Sequence, residues 1–122
     1  MGKQIKTETE RGKLRMQDLE KKIIAWHKAR NLIEGSSDHQ QFEKLLEEVE
    51  ELRLNIMTSQ PIVDDVGDIV VVLINLCERN GLTLKECMAH AYNDIKDRRG
   101  RMVDGLFVKE RIDESRSIQD AV

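Results

Sequence analysis

From about Leu14 the apolar positions Met16, Leu19, Ile23, Trp26 and Ile33 recur at helical spacing with no proline or glycine before Gly35. They predict a first helix ending near Ile33. In the loop that follows, EGSSDHQ, Asp38 with Gln41 three residues on reads as an N-cap and its capping-box partner. They open a second helix that carries Phe42, Leu45, Leu46, Val49, Leu52 and Ile56 to about Met57. Thr58 or Ser59 is placed to cap a third helix. Pro61, the only proline, then falls in the first turn, where its missing N–H is no loss. That helix runs to about Arg79, and the run Arg79, Asn80, Gly81 closes it.

The β-branched run DIVVVLIN, 68–75, also suits a buried strand. No turn residue occurs from Asp68 to Glu78, however, and the helical flanks would leave a lone strand without a partner. A helix apolar on nearly all sides must be surrounded, which suggests a central place and a subunit interface. Thr83 and Glu86 form another capping box, opening a fourth helix expected to end near Gly100. Beyond it an Asp-Gly turn, Asp104 and Gly105, lies between short apolar pairs. The expected architecture is all-α: four helices in a bundle with a short extended C-terminal segment. Residues 1–12 read as a flexible extension, 13–111 as one domain, and 112–122 as a polar tail.

Composition narrows the classes. A chain of 122 residues with 39% hydrophobic content builds one modest core, and a small helical chain often completes such a core by oligomerising. A homodimer or tetramer is therefore expected. With 20 basic against 23 acidic residues spread along the chain, and only four aromatics, direct nucleic-acid binding is not indicated. Cys77 and Cys87 lack CxxC spacing and read as reduced, buried thiols of an intracellular protein. The N-terminus lacks the apolar core of a signal peptide and no run is long enough to span a membrane, so a soluble, cytoplasmic protein is expected.

Candidate chemistry lies in the acids around the Ser-Gln-Pro break. Counted from Ser59, Glu48 and Glu51 precede by eleven and eight residues, and Asp65 and Asp68 follow by six and nine. At about 1.5 Å of rise per residue, both pairs lie roughly 9 to 17 Å from the turn on antiparallel arms. The i, i+3 spacing puts each pair on one helical face, with Val49, Leu52, Val66 and Ile69 as an apolar surround. Carboxylates gathered that closely need protons or a cation, and oxygen-only ligation favours Mg²⁺ or Mn²⁺ over zinc. The plainer alternative is that the glutamates are a solvated helix surface. A di-iron site would require Glu-x-x-His pairs, and none of His27, His39 and His90 stands three residues after any of these acids. The histidines read as surface or helix-packing residues.

The order and spacing of these motifs resemble the MazG-like nucleoside triphosphate pyrophosphohydrolases, all-α relatives of the dimeric dUTPases. KLLEEVEEL supplies Glu48 and Glu51, DDVGD supplies Asp65 and Asp68, and YNDIKDRRGRM supplies Asn93, Lys96 and Arg99. The similarity looks closest to short phage-type members, which share WHKARNLIEGS, GDIVVVL and IKDRRGRMVDGLFVKE, and it spans about Ile23 to Arg111. One departure is Asp65, where the family usually has Glu. Its shorter side chain would bind a metal through water or leave Asp64 to share the task.

The resemblance implies Mg²⁺-dependent (or Mn²⁺-dependent) hydrolysis of a (d)NTP to the monophosphate and pyrophosphate, the ions held by Glu48, Glu51, Asp65 and Asp68. Glu48, Glu51, Asp68 and Lys96 would be catalytic. Lys96 and Arg99, on one face of the fourth helix, would hold the pyrophosphate end with help from Lys44. Asn93 would meet the ribose or a phosphate. Trp26 would either stack on the base or serve a core or interface. Arg98 and Arg101 read as basic residues favouring the helix dipole. The competing readings are a non-catalytic helical interaction module and a nucleotide-binding sensor.

Overall fold

The computed structural model describes residues 14–110. They form four helices and a small sheet: α1 (Met16–Ala29), α2 (Asp38–Met57), α3 (Val63–Arg79), α4 (Leu84–Ile95), β1 (Gly100–Val103) and β2 (Leu106–Lys109). The protein is thus mostly helical, and the ambiguous run DIVVVLIN is helix. The expected extension over 1–12 and tail over 112–122 lie outside the described residues.

Three helices stop by the same device, and it sets their lengths. Beyond α1 the Leu32 N–H donates back to His27 O (2.9 Å) and the Asn31 N–H to Lys28 O (3.1 Å), with Asn31 left-handed at φ 58°. Gln60 N–H to Asn55 O (2.8 Å) and Ser59 N–H to Ile56 O (3.2 Å) close α2 likewise, with Ser59 at φ 57°. After α3, Leu82 and Gly81 repeat the pattern, and there the left-handed position falls to glycine. These are Schellman motifs, which satisfy helix-end carbonyls while turning the chain away.

They correct two expectations. The first helix ends at Ala29 rather than near Ile33, because Asn31 has already left the helical region. Thr58 and Ser59 terminate α2 instead of capping the next helix, and Thr58 also donates its hydroxyl to Leu54 O (2.8 Å). α3 consequently starts at Val63 with Ile62 at an N-cap that has no side-chain hydrogen bond, and Pro61 lies ahead of the helix rather than in its first turn. The cap of α2 is also one residue earlier than expected. Ser37 has extended backbone and its hydroxyl accepts from the Gln40 N–H (3.1 Å), whereas Asp38 is already helical. The Thr83 and Glu86 capping box forms as expected: Glu86 Oε1 accepts from the Thr83 N–H (2.6 Å) and Thr83 Oγ1 from the Glu86 N–H (3.1 Å).

The chain divides into two compact units, Met1–Glu86 and Cys87–Val122. In the first, α2 and α3 run antiparallel: Asn55 bonds to Asp65 near their turn, and Asp38 accepts from Arg79 Nε (2.9 Å) at the far ends. Arg79 also donates from Nη1 to Ile33 O, tying the loop after α1 to the end of α3. α3 supplies the buried apolar side chains Val72, Ile74 and Cys77. α1 is keyed to it by polar groups. His27 Nε2 meets Val71 O (2.9 Å); since a carbonyl only accepts, that nitrogen carries the proton, and bare Nδ1 accepts from Asn75 Nδ2 (3.2 Å). Asn75 donates to Leu32 O as well (2.9 Å), and both side chains are buried. Buried Glu20 accepts from the Leu84 N–H (2.6 Å), anchoring the first turn of α4.

In the second unit β1 and β2 pair antiparallel from Gly100 with Lys109 to Val103 with Leu106. Asp104 (φ 51°) and Gly105 (φ 82°) are both left-handed, as a two-residue type I′ hairpin turn requires. The hairpin explains why α4 ends at Ile95 and not near Gly100. Glu110 N–H bonds to Arg99 O (2.9 Å), so pairing claims the chain from Arg99 onward. Cys77 is buried and Cys87 half-buried. No helix among the described residues is long and apolar enough to cross a membrane.

Candidate functional site

Helical spacing and the antiparallel hairpin bring Glu48, Glu51 and Asp68 together: one carboxylate oxygen of each lies within 4.8 Å of the other two. Glu48 and Glu51 share a face of α2 one turn apart, and Asp68 meets them from α3. Glu48 is only 7% exposed, whereas Glu51 and Asp68 are open to solvent. Its Oε1 faces Lys44 Nζ at 3.5 Å, while its Oε2 is buried with no hydrogen-bond partner. Burial, and then the charges of Glu51 and Asp68, push the Glu48 carboxyl above its ordinary pKa, against a smaller opposing pull from Lys44. A buried oxygen without a donor, beside two further carboxylates, is the environment that a proton or a cation relieves. Three hard oxygen donors suit Mg²⁺ or Mn²⁺, so the residues present fit such an ion.

Asp65 lies outside this group. It is 5% exposed, and its Oδ2 accepts from Asn55 Nδ2 at 2.8 Å. Asp64 is exposed and also outside it. The apolar surround is thinner than the sequence suggested. Leu52 and Ile69 are half-buried, but Val49 and Val66 are largely exposed, leaving the solvent side of the group open. Lys44 is engaged with Glu48 and, at 3.8 Å, with Glu47. Trp26 is not a core residue: it is 45% exposed, with the Arg30 guanidinium 4.3 Å above its ring. Among the histidines, His27 packs between helices as described, and His39 and His90 are on the surface.

Asn93, Lys96 and Arg99 belong to the second unit, and all three are exposed. Lys96 and Arg99 do not share a helical face, because α4 ends at Ile95. Lys96 sits in the turn beyond it and Arg99 on the approach to β1. There Arg98, Arg99, Arg101 and Lys109 line an open groove of about 740 Å³ beside Phe107. Arg101 stands in a strand, so the helix-dipole reading does not apply to it. Arg98 pairs with Asp94 at 3.6 Å.

The sequence did not flag Asn55, or Asn75 as the buried partner of His27. Asn55 follows Glu51 by four residues, a spacing that places it on the acidic face and would have flagged it. His27 and Asn75 are 48 residues apart, and nothing local links them.

The chain is 40% identical over 67 residues to an uncharacterized 18.2 kDa protein from the rep-hol intergenic region of Haemophilus phage HP1. The match covers 53% of this chain but only 41% of the phage protein's length. No protein family's sequence profile matches the chain, and no solved structure matches it.

Proposed function

We propose that the chain is a metal-dependent nucleoside triphosphate pyrophosphohydrolase of the MazG-like kind, converting a (d)NTP to the monophosphate and pyrophosphate. The observation carrying this reading is the convergence of the Glu48, Glu51 and Asp68 carboxylates, together with the burial of Glu48 and its unpartnered Oε2. Those three carboxylates would hold Mg²⁺ or Mn²⁺. When bound, such an ion neutralises phosphate charge and acidifies a coordinated water. The chain's own groups contribute around it. Lys44 balances part of the acidic charge at Glu48. Trp26 is exposed but carries the Arg30 guanidinium on its ring, so a base would stack there only on the opposite face or in place of Arg30. The phosphate-binding roles of Asn93, Lys96 and Arg99 rest on the resemblance and on their exposure. Arg99 lies in a basic groove whose guanidinium groups suit phosphate oxygens. Similarity to a phage protein supports a phage origin; action on nucleotide pools in a host cytoplasm is part of the proposal.

A specific observation favours a second reading, a helical interaction module. Phe42, Leu46, Val49 and Ile56 form an exposed apolar stripe along α2, more apolar surface than a purely monomeric helix needs to show. The same stripe suits assembly of the proposed enzyme as a homodimer or tetramer. Incubating the purified protein with each dNTP or NTP and Mg²⁺ and identifying the products separates the readings. The enzyme releases pyrophosphate and loses that activity in Asp68→Asn. Release of orthophosphate, turnover unchanged in that variant, or no turnover with any dNTP or NTP refutes the proposal.

A further inference from the structure

The bond between Asn55 and Asp65 joins the last full turn of α2 to the first turn of α3. It stands one helical turn beyond Glu51 on one arm and one turn before Asp68 on the other. Other means of fixing the two helices there are sparse. The N-cap of α3 makes no side-chain hydrogen bond, and Ile56, Met57, Ile62 and Val63 around the turn are exposed rather than packed. Asp65, by contrast, is buried, and a buried carboxylate whose donor is a neutral amide resists displacement, because any shift would strip that donor away.

Resting on the cation-site reading above, we infer that Asn55 and Asp65 are positioning residues, not cation ligands: they pin α2 against α3 so that Glu48 and Glu51 keep their distance from Asp68. The cation is then held by three carboxylates of this chain, and the aspartate at 65 serves the pin. A side chain one methylene longer would push its carboxylate past the Asn55 amide. Sliding one helix against the other by even part of a turn would carry Asp68 along its axis and open the group, since each residue advances about 1.5 Å.

Two substitutions separate pin from ligand. Asp65→Asn removes the charge but keeps an oxygen that accepts from Asn55, whereas Asn55→Ala keeps the charge and removes the bond. Mn²⁺ binding to the full chain is measured by electron paramagnetic resonance titration, with helicity followed by circular dichroism in the absence of metal. The pin predicts that Asp65→Asn binds Mn²⁺ within about threefold of the wild type. Asn55→Ala should weaken binding by about 10- to 100-fold, the usual effect of losing a group that orients ligands. Rescue of part of that loss by Asn55→Gln, which restores an amide donor, would mark the effect as one of positioning. A large loss in Asp65→Asn makes Asp65 a ligand and overturns the inference, whatever Asn55→Ala does. Unchanged binding in Asn55→Ala overturns it too. Should Asn55→Ala fail to fold, the Asp65→Asn titration still decides. Absence of Mn²⁺ binding by the wild type is a different result, which refutes the cation site itself.

Discussion

Glu48→Gln should make the cation-free protein more stable while abolishing its response to metal. The substitution keeps the shape of the side chain and deletes a charge that burial and two neighbours oppose. With oxygens no more than 4.8 Å apart, each of the repulsions from Glu51 and Asp68 amounts to at least about 0.9 kcal/mol with water's dielectric, appropriate because both partners are exposed. Lys44 at 3.5 Å returns about 1.2 kcal/mol. The cost of keeping Glu48 charged under cover adds to the remainder, so the expected gain is about 1 kcal/mol, or about 4 °C in Tm for a domain of this size.

The pH dependence carries the sign. Folding raises the Glu48 pKa, so the folded state binds more protons there than the unfolded chain, and stability falls as pH rises through the raised value. The advantage of Gln is therefore complete above that value and vanishes at acid pH, where the wild-type carboxyl is itself neutral. Thermal denaturation followed by circular dichroism from acid to neutral pH, with and without saturating Mg²⁺, measures all of this. Metal at a hundredfold over its Kd should stabilise the wild type by about 2.7 kcal/mol and leave the variant unmoved. A variant less stable than the wild type at neutral pH, or an advantage independent of pH, would mean that the Glu48 charge is not destabilising.

Other substitutions probe the frame around the site. Arg79, and then Asn80, hold the Asp38 carboxyl below its ordinary pKa, so Asp38 contributes stability above the unfolded carboxyl range that is lost as pH falls through its lowered value. Asp38→Asn should therefore be less stable at neutral pH and shallower in its acid unfolding, as urea titrations at several pH values will report. Asn75→Ala strips the donor from His27 Nδ1 and Leu32 O and should cost about 3 kcal/mol in the same titrations. Gly67→Ala places a methyl where nothing lies within 4 Å and should stabilise α3 by about 0.5 to 1 kcal/mol, visible as a raised Tm.

How far such features could be read in advance depended on the range of the forces involved. Helical rise is constant, so counting outward from Ser59 placed acids of two helices at one depth, and three of them do lie within 4.8 Å of one another. The Thr83 and Glu86 box was legible because its partners are three residues apart. Helix ends were less so. Asn31 and Ser59 adopt left-handed backbone that their sequence only permits, and at the start of α2 Ser37 takes the cap while the Asp38 carboxylate bonds to distant Arg79. The end of α4 was set by hairpin pairing beyond it. Asp65 was grouped with Asp68 because their spacing is helical, but which oxygen a side chain serves depends on the axial register of two helices, and there Asn55 claims it.

On the proposed function, Glu48, Glu51 and Asp68 hold the cation on which triphosphate cleavage depends. That role is tested most directly by following Mn²⁺ binding and pyrophosphate release on the same samples of wild type and Asp68→Asn. The wild type should do both, and the variant should lose both together. Pyrophosphate release persisting in a variant that no longer binds Mn²⁺, or Mn²⁺ bound equally tightly without Asp68, would contradict it.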